Sequence, residues 1–476
     1  MAVTTTTPFY LAGSWEEGDR PLEVRYPYDD RLVGTTTYAT ADQARRARDA
    51  AVAAFEGNRR TPAYERRAWL EAITDGIRAR REEFGRLMTL ETGKPIRDAL
   101  AEVDRAILTF GTAAEEAVRI NGEVIPLDVA PAGRGRTGIV RRFPIGPILA
   151  ISPFNFPLNL PAHKIAPAIA AGNTVIAKPT SKTPLTLLKL AEVAHEAGVP
   201  AGVLNVLPMD HEVTELLLRD DAISMLTFTG SSEVGWSLKA RAGKKRVLME
   251  LGGNAAVIVD RDADIRHAAQ RIVAGGFVFA GQTCISVQRV LAHERIFEPL
   301  ARNIVELTEK LVLGDPLEPT TDVGPVIDDD AAERIGAWIA EAVEAGARVL
   351  TGGEADGRML QPTVLADAPP TTRICREEAF APLVNLSPFA DFHEALRQAN
   401  STAYGLQAGV FTQSLDHVLD AFDELEVGGV MVNEVSNWRI DPMPYGGVKD
   451  SGFGREGLRF AIQEMTEPKL LAINRV

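Results

Sequence analysis

The spacing of apolar and polar positions changes along the 476 residues, and each change predicts a different kind of element. Residues 8–39 are mixed, with turn signals at Gly13, Pro21, Pro27 and Gly34. From Thr40 the apolar positions take up helical spacing. TADQARRARDAAVAAFEG opens on polar Thr40 and Asp42 and closes at Gly57, which is start and stop chemistry for a helix. Two longer amphipathic segments, about 63–88 and 98–119, are separated by ETGKP at Glu91 to Pro95. Their apolar faces predict core packing. Residues 122–146, GEVIPLDVAPAGRGRTGIVRRFPIG, set two strand-like runs around a Pro/Gly/Arg-rich turn and read as a protruding hairpin. A hairpin alone is marginal, so this one is expected to pack on another subunit.

From residue 147 short apolar runs alternate with helical segments: PILAIS then 157–171, NTVIAKP then 183–197, GVLNVLP then 211–219, ISMLTFTG then 231–241, and finally RVLMELGG. Strands alternating with helices predict a parallel, doubly wound sheet. Beyond about 250 a second α/β unit is expected. Its strands fall near 255–259, 286–292, 383–388, 408–412 and 429–433, and its helices near 263–273, 294–312, 329–345, 391–399 and 414–424. The chain closes with the glycine-rich PYGGVKDSGFGREG, a helical piece and a strand KLLAINRV. No internal repeat or low-complexity tract interrupts this pattern.

Composition narrows the classes. Hydrophobic residues make up 45% and charged residues 24%, an ordinary globular balance. A net charge of −14 shows no basic footprint for nucleic acid. Two cysteines, Cys284 and Cys375, make no disulfide framework and fit a reducing, cytoplasmic setting. The start MAVTTTTPFYLAGSW has no charged segment followed by an apolar one, so no secretion signal is expected. No apolar run is long enough for a membrane span, and seven scattered histidines offer no metal-ligand spacing.

Open parallel sheets bind ligands beyond the carboxyl ends of their strands, so the residues following each run carry the candidate chemistry. After PILAIS comes Pro153-Phe154-Asn155-Phe156-Pro157, where Asn155 offers an amide donor, or simply a turn. After NTVIA stands Lys178, suited to a ribose or phosphate, or to solvent. After SMLTF comes Thr229-Gly230-Ser231-Ser232-Glu233-Val234-Gly235 running into a helix, which suits a phosphate or a plain Ser231 cap. After RVLM stands Glu250, a candidate base beside two glycines, or a cap. Cys284 lies where the loop Gly281-Gln282-Thr283 enters a strand, a position that presents functional side chains. Alone, a cysteine there is more often a small buried hydrophobe.

Together these motifs resemble the NAD(P)-dependent aldehyde dehydrogenase superfamily over nearly the whole chain. The resemblance rests on PFNFP (153–157), KPTS (178–181), FTGSSEVG (228–235), MELGGN (249–254), GQTCISVQRV (281–290), EEAFAP (377–382) and PYGGVKDSGFGREG (444–457), in that order. GQTCISVQRV is similar to the lactaldehyde-dehydrogenase-like branch. The resemblance implies Cys284 as nucleophile, Asn155 as oxyanion donor and Glu250 as the base that hydrolyses a thioester. It implies a dinucleotide site at Ile151, Ser152, Phe154, Lys178, Ser181, Gly230, Ser231 and Gly235, with Leu251, Glu378 and Phe380 at the nicotinamide end. It places Phe156, His163 and Thr283 along the aldehyde path, and Cys375 in packing. The architecture it implies is a doubly wound, Rossmann-like cofactor domain (1–120 and 143–249), an α/β catalytic domain (250–447), and a β-hairpin oligomerisation arm (121–142) with the C-terminal segment (448–476) bridging subunits of a homodimer or homotetramer.

Three departures qualify this. Ser181 stands where many NAD-preferring relatives carry Glu, which leaves NADP+ open beside a lean to NAD+. Ala381 replaces the usual Gly of EEAFAP. Thr283 stands where relatives acting on phosphorylated or phosphonate aldehydes can carry Arg, so a small, uncharged or hydroxylated aldehyde is expected; Arg105 and Arg439 could still serve an anion, though the plainer reading of both is solvated or structural. Other readings are a CoA-acylating enzyme, which commonly lacks the carboxylate found here as Glu250, a non-catalytic protein that kept the fold, and a cysteine hydrolase, which leaves the dinucleotide motifs unexplained.

Overall fold

The computed structural model describes residues 6–475, so the first five residues of the N-terminal stretch read above lie outside it. Five parallel strands form the centre of the first sheet, side by side in the order Leu204–Val206, Thr174–Lys178, Pro147–Ile151, Met225–Thr229 and Arg246–Glu250. The first of these in sequence lies in the middle, and the chain winds outward to one side and then to the other. That leaves a switch point between Pro147–Ile151 and Met225–Thr229, where a crevice opens at the carboxyl ends. Helices cover the faces, so the strands read as near-continuous apolar runs. Phe9–Leu11 and Gly452–Phe453 add antiparallel strands at either edge.

The helix Ala41–Asn58 starts with a reciprocal Thr40–Gln43 capping box. The segment expected as one helix over 63–88 is two, Ala63–Ala79 and Arg81–Thr92, broken at Arg80, and Ile96–Ala117 follows. Gly93, left-handed at φ 71°, ends the second of them.

The second sheet has six parallel strands in the order Thr363–Ala366, Leu383–Phe389, Val287–His293, Ala255–Val259, Gln407–Phe411 and Gly429–Val432, with Arg348–Thr351 antiparallel at one edge. Two of these, Arg348–Thr351 and Thr363–Ala366, were not expected from the sequence. The apolar cores are separate. One runs from Phe9 to Leu251 and takes in Leu458, Ile462 and Met465; a second lies between Val257 and Val435, and a third between Ala256 and Leu425.

The hairpin strands Glu123–Pro126 and Arg136–Pro144 gain their third strand from the same chain: Thr466–Asn474 pairs along the whole of Arg136–Pro144. A third strand supplies the pairing a lone hairpin lacks. Residues 448–476 are also not a single bridging piece. Gly452–Phe453 extends the first sheet and the helix Leu458–Glu464 packs into the first core, because Leu458, Ala461 and Ile462 form its buried stripe. The three-stranded arm still leaves Val124, Leu470, Leu471 and Ile473 exposed. Among the described residues no helix is long and apolar enough to cross a membrane.

Candidate active site

The site forms where the carboxyl ends of the first sheet meet the loop that enters Val287–His293. Glu250 is the last residue of its strand, and Gly252 and Gly253 carry the chain across to the second unit. Gly253 permits the junction: a Cβ there would stand 2.2 Å from the Cys284 carbonyl oxygen, closer than any side chain tolerates. On the other side of the junction Phe279 and Ala280 hold φ of 48° and 50°, unusual for residues with a Cβ. Such strain concentrates at functional sites.

Cys284 is half-buried at this junction, its Sγ 3.1 Å from the Tyr445 hydroxyl. Burial pushes the thiol up to about 12, against the opposing pull of the Tyr445 hydrogen bond. Asn155 is buried, and its Nδ2 donates to the Gln282 carbonyl at 3.0 Å. That bond fixes the amide and leaves its second N–H free. Glu250 is buried with neither carboxylate oxygen bonded to a described protein group. Burial and the neighbouring Glu456 carboxylate raise its pKa well above the usual range, while Arg439, Lys164 and Arg455 oppose the rise. Glu456 pairs with buried Lys164 at 3.0 Å.

A cavity of about 550 Å³ opens from Cys284 along the switch point, lined by Phe154, Asn155, Gly230, Ser231, Leu251, Glu378 and Phe380 among others. Phe154 and Phe380 meet edge to face at 5.8 Å between ring centres. Glu378 accepts from the Gly253 N–H at 2.9 Å, and burial pushes its carboxyl up to about 7. Ser231 caps the helix Ser232–Arg241, whose first turn faces the same space. This set fits a dinucleotide: a helix start for phosphate, a buried carboxylate for ribose hydroxyls, and an unpartnered Thr229 hydroxyl on the cavity wall.

Other expected cofactor residues stand back from that wall. Ile151 ends the central strand, Ser152 follows it, and both are buried. Lys178 ends the next strand, its Nζ 3.3 Å from the Pro179 carbonyl, and burial lowers its pKa to about 8. Ser181 is exposed on the loop beyond, and the adjacent Lys182 pairs with Asp328. Gly235 lies inside the helix, where a Cβ would strike the Leu251 side chain at 2.3 Å, so its bare backbone lets Leu251 pack against the first turns.

A second cavity, about 250 Å³, lies across Cys284's loop and is lined by Phe156, Thr283, Phe279, Lys94, Arg105 and Arg271 among others. Phe156 and Thr283, expected along the aldehyde path, both line this cavity. His163 does not. It is fully buried in the helix Asn159–Ala171 with Nε2 at 2.8 Å from Asp441. Asp441 also accepts from Arg105 and from Asn159 Nδ2. His163 and Arg105 together outweigh burial and hold its carboxyl far below the usual range.

Several residues of the site escaped the sequence reading. Lys94, noted only as part of a helix break, forms a fully buried pair with Glu102, and its Nζ lies 3.9 Å from the Phe156 ring centre. The other Glu102 oxygen accepts from the Leu158 and Asn159 N–H groups at 2.9 and 3.0 Å, just past the Asn155 loop. Arg334 and Trp338 line the larger cavity with no motif to announce them. Tyr445 stood inside a quoted motif, but nothing in its spacing aims it at sulfur.

The model of the Aldehyde dehydrogenase family matches residues 15–471. The chain belongs to that family. It is 43% identical over 466 residues to 3-sulfolactaldehyde dehydrogenase of Priestia aryabhattai, covering 98% of this chain and 97% of that protein. It is 37% identical to a lactaldehyde dehydrogenase of Methanococcus aeolicus, covering 98% and 99%. Among solved structures, aldehyde dehydrogenase 21 from Physcomitrella patens in complex with the reaction product succinate superposes with a TM-score of 0.98 at 44% identity, over 99% of each chain. The dehydrogenase oxidises a small aldehyde to the carboxylic acid with NAD(P)+.

Proposed function

We propose that this dehydrogenase acts through Cys284 on a small aldehyde carrying a carboxylate or sulfonate, and that Arg105 holds the anionic end. The observation that carries the substrate class is Arg105 itself. Its guanidinium is part-exposed in the cavity beyond Thr283 while Asp441 grips it from behind at 2.8 and 3.2 Å. A planar cation held rigid in a cavity wall recognises a carboxylate or sulfonate. This reading replaces the uncharged or hydroxylated aldehyde expected from Thr283, and the likeness to the sulfolactaldehyde enzyme and to the succinate complex supports it.

The chemistry assigned to the chain's residues follows the geometry. Cys284 Sγ, as thiolate, bonds to the aldehyde carbon. The free N–H of Asn155 and the Cys284 backbone N–H take the negative charge that develops on the aldehyde oxygen. Leu251, Glu378 and Phe380 would hold the nicotinamide of NAD(P)+, Gly230 and Ser231 its phosphates, and Lys178 and Ser181 its adenosine ribose; held there, the nicotinamide would accept the hydride. The product on sulfur is a thioester. Glu250 takes a proton from water, the water oxygen bonds to the thioester carbon, and the carbon–sulfur bond breaks to release the acid and the thiolate. A buried carboxyl with a raised pKa suits a base working near neutrality.

The domain division at about residue 250 remains part of this reading, with 1–120 and 143–249 holding the cofactor. So do a cytoplasmic setting and a homodimer or homotetramer built on the exposed apolar residues of the arm. The substrate test is Arg105→Met, assayed on sulfolactaldehyde, succinic semialdehyde and uncharged propanal. A hydrogen-bonded charge pair is worth about 1.5–3 kcal/mol, so kcat/KM for the anionic aldehydes falls about 10- to 100-fold and that for propanal stays within about threefold. Equal losses on all three would refute the anion role.

A further inference from the structure

We propose that Tyr445 is a catalytic residue of this enzyme, its hydroxyl donating a hydrogen bond to the Cys284 thiolate, with Arg439 on the ring face strengthening the donor. The proposal rests on the reading of Cys284 as nucleophile and extends it. The two atoms lie 3.1 Å apart, and either can donate while the sulfur is protonated. A thiolate has no proton, so in the reactive state the phenol O–H must be the donor.

The phenol is fixed in place. Tyr445 is 3% exposed and packs with Ile285 and Leu406, with Met443 against them. Its backbone is clamped on both sides, Tyr445 N–H to the Glu456 carbonyl and Glu456 N–H to the Tyr445 carbonyl. The Arg439 guanidinium carbon stands 3.6 Å from the Tyr445 ring centre. Arg439 is itself buried, 3.1 Å from His163 Nε2 and 3.7 Å from Glu456. A cation on the π face withdraws charge from the ring and makes the O–H a stronger donor.

The charges facing the sulfur define why a donor matters there. Glu250, at the end of its strand, and Glu378, in the loop across the cavity, both disfavour a second negative charge, and Arg439 opposes them. Burial works in the same direction as the two carboxylates. Tyr445 is the side-chain group within hydrogen-bond distance of Sγ among the described residues. A thiolate is present twice in the cycle, before attack and as the group expelled when the thioester is hydrolysed. One donor therefore serves both half-reactions.

The test is the pH dependence of Cys284 alkylation by uncharged iodoacetamide, without cofactor, in the wild type and in Tyr445→Phe. Loss of a charge-assisted hydrogen bond displaces a pKa by about one to two units. The stronger intrinsic nucleophilicity of the more basic thiolate cancels about half of that. The alkylation rate constant between pH 6 and 9 is therefore expected to fall about three- to tenfold in Tyr445→Phe, with the pre-steady-state burst of NAD(P)H slowed alongside. Replacing Tyr445 with 3-fluorotyrosine, a more acidic phenol of nearly the same size, is expected to raise the rate. Overlapping profiles for wild type and both variants would overturn the Tyr445 proposal. If full alkylation of Cys284 in the wild type left turnover intact, the nucleophile assignment itself would fall, whatever the variants show.

Discussion

The buried Lys94–Glu102 pair makes a demanding test of how the site is held. Both side chains are essentially solvent-free, and Glu102 bonds Lys94 with one oxygen and the Leu158 and Asn159 N–H groups with the other. The pair thus anchors the start of the helix that follows the Asn155 loop, and it seats Phe156 against the Lys94 ammonium. Lys94→Met removes the cation and strands a buried carboxylate. Glu102→Gln keeps an acceptor for the helix start but strands the ammonium. Breaking one partner of a buried pair costs about 3–5 kcal/mol, whereas replacing both with groups of similar shape is often near neutral. For a unit of about 230 residues, 1 kcal/mol moves Tm by about 2–4 °C, so each single variant should lose about 6–20 °C. The double variant Lys94→Met/Glu102→Gln should recover more than half of the summed loss. Thermal unfolding followed by circular dichroism at one protein concentration and scan rate reads this directly. Single-variant losses that simply add in the double variant would refute the claim that the pair acts as a unit.

Two further predictions concern the cofactor. Burial pushes Glu378 up to about 7, and ribose hydroxyls bind the carboxylate form; NAD+ affinity should therefore rise as pH increases through about 7, and binding below that pH should release a proton. Fluorescence titration between pH 5.5 and 8.5 checks this, with a flat profile expected for Glu378→Gln and a flat wild-type profile counting against it. On the loop beyond Lys178, Ser181 offers no charge to repel a 2′-phosphate, so Ser181→Glu should cut kcat/KM for NADP+ at least about tenfold while leaving NAD+ within about threefold; equal effects on both would remove Ser181 from the ribose site.

The elements that bury a face were readable because burial imposes a period. The five central strands of the first sheet and the helices between them fall within a few residues of their expected places. What escaped was decided by partners distant in sequence. The break at Arg80 is silent because Leu70, Ile73, Ile77, Phe84 and Met88 keep one helical register across it. Thr363–Ala366 is four residues beside Pro362 and becomes a strand only by pairing with Leu383–Phe389. In the site, Cys284, Asn155 and Glu250 could be singled out because each ends a strand or sits in a loop at a sheet end, whereas Glu378 came only from the family resemblance of EEAFAP. His163 could not be placed correctly, since helical spacing says that a face is buried but not that Asp441 waits behind it. Tyr445 and Lys94 act through side-chain directions that no linear pattern encodes.

The roles of Cys284 and Glu250 are tested most directly by Glu250→Gln mixed with sulfolactaldehyde and NAD(P)+ in the absence of CoA, followed at 340 nm and then by peptide mass spectrometry. A burst of one NAD(P)H per active site, a stalled steady state, and an acyl adduct on the peptide containing Cys284 are the predicted result. Steady turnover at the wild-type rate, or an adduct on any other residue, would contradict it.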